Sequence, residues 1–338
     1  MTGDASSGAI DVHAHFFPRE WPSLAERFGT PDWPWMRHDS PGRATVMLGE
    51  REFRAVDARC WDADVRLEAM DRDGIALQVM SATPVLFSYG RGAGEALEAA
   101  RIFNDAALDI AADAHGRIVT FCQVPLQDVE AACRELDRCL ANGHLGVEIG
   151  NHVGDTYLDD PGILEFLQHC AEVGAPVFVH PWDMRPPVAM QGMMMPWLVG
   201  MPAETHLSIL RLILTGAFDR LPASLRICFA HGGGSFAFWL GRLANAWRQV
   251  EAARGHCEHP PEHYVSRFTV DSAVFDQRSL RLLVDVMGEQ RVLLGSDHPF
   301  PMGEERVGSL VRGSDLDENV KDQVLHRNAR RFLGLGNA

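Results

Sequence analysis

Five side chains stand out by type and spacing: His13 and His15 in Ile10-Asp11-Val12-His13-Ala14-His15, then His180, His231 and Asp297. Alternate residues of an extended strand point to the same side, so the two imidazoles of a His-x-His project together. Such a pair offers two nitrogen ligands to one divalent ion; alone, it is equally a pair of ordinary hydrogen-bonding histidines. The other three side chains tip the balance, because each follows a short apolar run of the kind that makes a buried strand. Pro176-Val177-Phe178-Val179 precedes His180, residues 225–230 precede His231, and residues 291–294 lead into Gly295-Ser296-Asp297. Three imidazoles and a carboxylate suit a borderline cation such as Zn2+, with a position left for water or substrate.

Groups so far apart in sequence meet only if the chain folds their strands side by side. Helical spacing over residues 64–73, 95–114, 130–142, 161–173, 204–214 and 236–253 alternates with apolar runs over 76–80, 118–123, 146–149, 176–180, 225–230, 267–271 and 291–294. Alternation about eight times predicts an α/β fold, a closed parallel (β/α)8 TIM barrel, whose strand C-termini converge on one mouth. Nothing reads as a linker, so residues 1–338 are expected to form a single metal-dependent barrel domain. Residues 19–60, rich in Trp, Pro, Gly and Arg, form an insertion after the first strand and are expected to cover the site. Thr45-Val46-Met47-Leu48 and Glu52-Phe53-Arg54 predict a small hairpin within it.

Bulk properties narrow the classes. The 338 residues carry a formal net charge of −15, which argues against nucleic acid as a partner. An anionic small substrate would need arginines close at hand. No run approaches the ~18 apolar residues of a membrane span, and residues 1–8 lack the order of a signal peptide. Seven scattered cysteines without a Cys-x-x-Cys pair suggest reduced thiols and a cytoplasmic location. Lys321 is the only lysine and lies in a polar, solvated stretch, which makes Schiff-base chemistry or a carboxylated-lysine metal bridge improbable.

The order His-x-His on strand one, His on strands five and six and Asp on strand eight resembles the amidohydrolase superfamily. Longer runs resemble its α-amino-β-carboxymuconate-ε-semialdehyde decarboxylase family along nearly the whole chain. Among them are His13-Ala14-His15-Phe16-Phe17-Pro18, His180-Pro181-Trp182-Asp183-Met184, Met195-Pro196-Trp197-Leu198-Val199, His231-Gly232-Gly233-Gly234-Ser235-Phe236 and Gly295-Ser296-Asp297-His298-Pro299. The resemblance implies a mononuclear zinc enzyme, one Zn2+ per subunit, with His13, His15, His180 and Asp297 as metal ligands and His231 as an unligated catalytic base. It implies oxygen-independent decarboxylation of 2-amino-3-carboxymuconate 6-semialdehyde to 2-aminomuconate 6-semialdehyde in aromatic catabolism, including the kynurenine route. Arg54 would bind a substrate carboxylate, and Arg242 would reach the neighbouring subunit's site in a homodimer.

Metal at such a site acidifies water, and His231 would take the proton. Trp197 and Phe300 would wall the substrate, while Trp182 would pack. Asp183 and Glu204 lie close enough to the mouth to orient ligands, although capping or surface pairing suits them better. Two positions depart from the family pattern: His298, where a tyrosine is expected, and Glu50, where a basic residue is expected. The competing readings are a metal-dependent hydrolase or a hydratase of a related unsaturated acid. A Ser-His-Asp hydrolase is disfavoured because the chain has no Gly-x-Ser-x-Gly elbow.

Overall fold

The computed structural model describes residues 8–184 and 190–336. The N-terminal stretch read above as lacking a signal pattern lies, but for Gly8, outside them. Strand β1 (Ala9–Phe16) is followed by the insertion: α1 (Leu24–Phe28), β2 (Pro34–Ser40), β3 (Arg43–Leu48) and β4 (Arg51–Asp57). Then come α2 (Ala63–Asp73), β5 (Ile75–Ala82), α3 (Ala93–Ala112), β6 (Ile118–Cys122), α4 (Val129–Asn142) and β7 (Gly146–Ile149). A two-residue ribbon, β8 (His152–Val153) and β9 (Thr156–Tyr157), leads to α5 (Pro161–Glu172) and β10 (Val177–Val179). The last units are α6 (Met201–Leu214), α7 (Ala217–Arg220), β11 (Ile227–Phe229), α8 (Phe236–Gln249), β12 (Thr269–Asp271), α9 (Gln277–Met287) and β13 (Val292–Leu293). Helices α10 (Ser309–Arg312), α11 (Glu318–Asp322) and α12 (Asn328–Leu333) complete the chain.

The helices begin and end where local chemistry directs. Asp62, Asp128, Asp160 and Asp276 each accept a backbone N–H at the start of α2, α4, α5 and α9, satisfying donors the helix leaves free. Gly74 and Gly143 stop α2 and α4 in the left-handed conformation. Eight parallel strands join in the order β1-β5-β6-β7-β10-β11-β12-β13. The ring closes through Val12 N–H to the Leu294 carbonyl (2.9 Å), Asp297 N–H to the His13 carbonyl (2.9 Å) and His15 N–H to the His298 carbonyl (2.7 Å). This is the predicted (β/α)8 barrel. Phe332 and Leu333 of α12 join Ile10, Val12, Phe121 and Phe178 of the barrel strands in one apolar cluster.

The insertion is richer than the expected hairpin, a three-stranded antiparallel sheet β2-β3-β4. Its first strand is half exposed and opens on proline, so it shows little hydrophobic alternation. The helix expected over residues 236–253 ends as an α-helix at Gln249, followed by a short turn.

A buried polar chain pins the first and last barrel strands together. Arg66 of α2 donates to the Gln78 side-chain carbonyl (2.8 Å) and to the His15 carbonyl (2.6 Å). Gln78 donates to Asp11 (2.9 Å), and Asp11 accepts from the Ser296 hydroxyl (2.6 Å) and backbone N–H (3.1 Å). Burial brings the Arg66 guanidinium down to about 10, so it stays charged. Replacing Arg66 with Met strands the two acceptors, each loss being worth about 1–3 kcal/mol. We expect Arg66→Met to lower the unfolding free energy by roughly 3 kcal/mol in urea titrations; a loss under ~0.5 kcal/mol, the scale of a surface change, contradicts that role.

Candidate active site

His13 is aimed by a carboxylate. Its Nδ1–H donates to Oδ2 of Asp271, the last residue of β12, at 2.6 Å, which turns Nε2 toward the mouth. The other Asp271 oxygen accepts the Gly232 N–H at 2.8 Å, so one carboxylate sets both His13 and the turn that carries His231. His15 Nε2 lies 3.1 Å from His13 Nε2 and 3.3 Å from Asp297 Oδ1, and His13 Nε2 lies 3.6 Å from the same oxygen. His180 donates Nδ1–H to the Pro181 carbonyl (3.0 Å), leaving Nε2 buried without a protein partner. The His180 ring centroid is 5.1, 4.8 and 5.0 Å from those of His13, His15 and His231.

His231 and Asp297 both hold left-handed backbone, with φ of 55° and 59°, a conformation most side chains avoid. After His231 the chain stays left-handed through Gly234, where a Cβ would fall 2.1 Å from the Pro202 carbonyl oxygen. The glycine run is therefore what lets His231 sit two residues beyond β11 and still face the cavity.

All five predicted groups meet at this mouth. Among the described residues, His13, His180, His231 and Asp297 form a set whose ligand atoms all lie within 4.8 Å of one another. His15 stands beside that set, against His13 and Asp297. Two donors about 2.0–2.1 Å from one tetrahedral ion lie roughly 3.3 Å apart, and the separations of 3.1, 3.3 and 3.6 Å among His13, His15 and Asp297 bracket that value. With the unpartnered His180 Nε2, the donor chemistry fits a divalent cation.

Burial governs the charges. It takes His15 down to about 4, with Asp297 opposing and the charge of His13 assisting. It also holds His180 and His231 below the ordinary imidazole value, which leaves both neutral at pH 7. Burial works against charge on His13 too, but the hydrogen bond and charge of Asp271 lift it to about 9. Asp297 is kept well below the carboxylate range, because His15 and His13 outweigh its burial. Lone pairs from the neutral imidazoles of His15, His180 and His231 beside an ionised carboxylate make a cation's environment, which His13 would join on giving up its Nε2 proton.

A cavity of about 740 Å³ opens over the cluster, with a mostly apolar wall that includes Trp182, Trp197, Met201, Phe238 and Phe300. The insertion contributes Phe53, Arg54 and Ala55. The Arg54 guanidinium lies 4.2 Å from the Phe300 ring centroid and 5.5 Å from that of Phe53. It is the only lysine or arginine among the described residues of the wall, so a carboxylate entering here would meet it. Phe300 also stacks on His15 at 5.6 Å.

Other positions fall elsewhere. Arg242 is exposed on α8, 6.0 Å from the Trp239 ring, and does not line its own chain's cavity. Trp182, expected only to pack, is part of the wall. Glu50 lines a separate shallow depression with Arg51 and Pro31, away from the cavity. His298 is buried off the wall, where the charges of Arg66, Arg59 and Asp57 reach it. Glu204 lies 3.8 Å from His152 Nε2 rather than against the cluster. Lys321 pairs with Glu318 at 2.8 Å on α11, outside the cavity. Two residues of the site were not foreseen: Asp271, and Glu148 of β7, a fully buried carboxyl that burial pushes up to about 8.

Residues 10–335 match the family model described as Amidohydrolase. The chain is 40% identical to the 2-amino-3-carboxymuconate-6-semialdehyde decarboxylase of Dictyostelium discoideum, covering 96% of this chain and 91% of that protein. It is 30% identical to the enzyme of the same name from Caenorhabditis elegans, covering 99% and 96%. In fold it is similar to the manganese-bound dihydroxybenzoic acid decarboxylase from Polaromonas sp. JS666, with a TM-score of 0.79, 23% identity and 98% of each chain covered. The chain belongs to the amidohydrolase family and, within it, to the carboxy-lyases grouped as 2-amino-3-carboxymuconate-6-semialdehyde decarboxylases.

Proposed function

We propose that this protein is a zinc-dependent, non-oxidative decarboxylase that converts 2-amino-3-carboxymuconate 6-semialdehyde to 2-aminomuconate 6-semialdehyde and CO2. The observation that carries the reading is the junction of two features in one cavity: a cluster of imidazoles and carboxylate fit for a cation, and a guanidinium, that of Arg54, fit for an anion. The relatives named above supply the substrate class. We assign His13, His15, His180 and Asp297 as ligands and His231 as the base. An ion there, when bound, supplies a Lewis acid and lowers the pKa of coordinated water to ~7.

The chain's own residues then do the rest. Arg54 holds a substrate carboxylate through paired hydrogen bonds, a geometry a lysine cannot reproduce. Trp197 and Phe300 flank the conjugated chain and keep bulk water away. His231, neutral at pH 7, accepts a proton from water in the site and passes it to carbon, and the hydroxide left behind takes up a proton from solvent, so one proton is consumed for each CO2 released. The C–C bond to the departing carboxylate breaks heterolytically and its electron pair enters the π system. The proton then fills the position CO2 leaves.

Among the described residues Arg54 is the one cation of the cavity, and in our reading a second copy of this chain supplies a further one for a substrate with more than one carboxylate. Phe238 (68% exposed), Trp239 (43%) and Leu198 (58%) form apolar surface beside the mouth, and Arg242 stands one helical turn beyond Phe238. We therefore assign a homodimer in which Arg242 enters the neighbour's cavity. All seven cysteines are free, which supports a reducing compartment such as the cytoplasm.

Two experiments test this. Purified protein mixed with freshly generated substrate should lose the substrate's absorbance and release one CO2 per molecule, with activity removed by a chelator and restored by Zn2+. In that assay His231→Ala should keep its metal and lose about 10³-fold in kcat/KM; normal turnover by that variant overturns the base assignment. For the dimer, co-expression of Arg242→Ala with His231→Ala builds heterodimers with one intact composite site. Random pairing should restore about a quarter of wild-type activity, and the absence of recovery in a confirmed mixed dimer contradicts a shared site.

A further inference from the structure

Each imidazole that ligates a metal through one nitrogen needs a partner for the N–H on the other, because that bond fixes the ring's tautomer and tilt. Two of the three proposed imidazole ligands have theirs: His13 donates to Asp271 at 2.6 Å and His180 to the Pro181 carbonyl at 3.0 Å. His15 does not. Its Nδ1 is buried with no hydrogen-bond partner, and Glu148 Oε2 faces it at 4.0 Å. Both Glu148 oxygens are likewise buried without a hydrogen bond of normal length, although the Ser81 hydroxyl is close enough to favour their charged form. Two complementary polar groups, each costly to leave unsatisfied, thus confront one another across a gap that an approach of about 1 Å would close.

Direction matters as much as distance. Asp297 and His13 lie on the Nε2 side of His15, at 3.3 and 3.1 Å, whereas Glu148 lies on the Nδ1 side. Glu148 is therefore placed to act on a bound ion through the His15 ring. It comes from β7, whose register with β10 sets Glu148 opposite Phe178, and the Phe178 ring packs 4.9 Å from His13. The carboxyl is thus carried by the rigid barrel wall rather than by a loop.

We propose that Glu148 is a positioning residue: an oxygen of its carboxyl group accepts the His15 Nδ1–H and holds that imidazole with Nε2 toward the metal. The proposal rests on the metal-centre reading above. It is tested by Co2+ affinity, measured by competition with a chromophoric chelator, together with the visible absorption of the bound Co2+ and the melting temperature of the metal-free protein. Glu148→Leu should raise the Co2+ Kd by about 10–100-fold and alter the visible bands while the metal-free protein still melts cooperatively. Glu148→Gln keeps an acceptor for Nδ1–H, so its Kd should rise only a few-fold and its bands should keep the wild-type shape. Wild-type Kd values in both variants overturn the proposal. If Glu148→Leu does not fold, Glu148→Gln decides alone: a raised Kd upholds the role and an unchanged one ends it. Failure of the wild-type protein to bind Co2+ at all would instead remove the metal centre itself, so the two failures are distinguishable.

Discussion

The 2.6 Å hydrogen bond between His13 and Asp271 is the constraint on which the site depends. It joins the first strand to the seventh, selects the His13 nitrogen that faces the mouth, and draws the proton of the cluster to one ring. The same carboxylate takes the Gly232 N–H, so the turn presenting His231 is tied to the His13 ring. Were Asp271 apolar, His13 could take either tautomer and the His231 turn would lose its anchor. Hydrogen bonds of this kind are worth more in a buried site than in water, where solvent would compete for both partners.

Four imidazoles and several carboxyls under one apolar wall are costly to bury. The barrel offsets that cost by satisfying the groups it can and leaving a few aimed at what the site binds. Asp11, Gln78, Ser296 and Arg66 are hydrogen-bonded in one chain beneath the mouth, with Arg66 Nε left without a partner. His180 Nε2 and His231 Nδ1 are buried without protein partners. Left-handed backbone at His231 and Asp297 adds local strain at the same place. Polar groups left unsatisfied, together with strained backbone, mark where stability has been given up for chemistry.

Much of this was legible in the chain before any coordinates. Parallel strands buried on both faces read as short apolar runs, and the polar residues that end those runs had to converge. That rule located His13, His15, His180 and Asp297, and the glycines after His231 explain why it serves from beyond its strand. Asp271 ends a run that was itself legible, so the same rule applied to residues 267–271 would have found it. Glu148 was visible as the one charged residue within the strand Gly146-Val147-Glu148-Ile149. Strand β2 was not legible, since a half-exposed edge opening on proline carries almost no periodic signal. Nor could one chain's sequence show whether Arg242 serves a neighbouring cavity, because an exposed helix arginine looks the same whether or not a second subunit covers it.

The central claim is that His13, His15, His180 and Asp297 hold one ion while His231 stays free of it. X-ray absorption at the zinc edge tests this most directly, on the wild-type protein and on His15→Ala and His231→Ala. One zinc per chain is expected, with nitrogen and oxygen donors at about 2.0–2.1 Å, three of them imidazoles. His15→Ala should lose an imidazole and His231→Ala should keep the wild-type imidazole count. An imidazole lost in His231→Ala, or a wild-type spectrum without imidazole scattering, would contradict that claim.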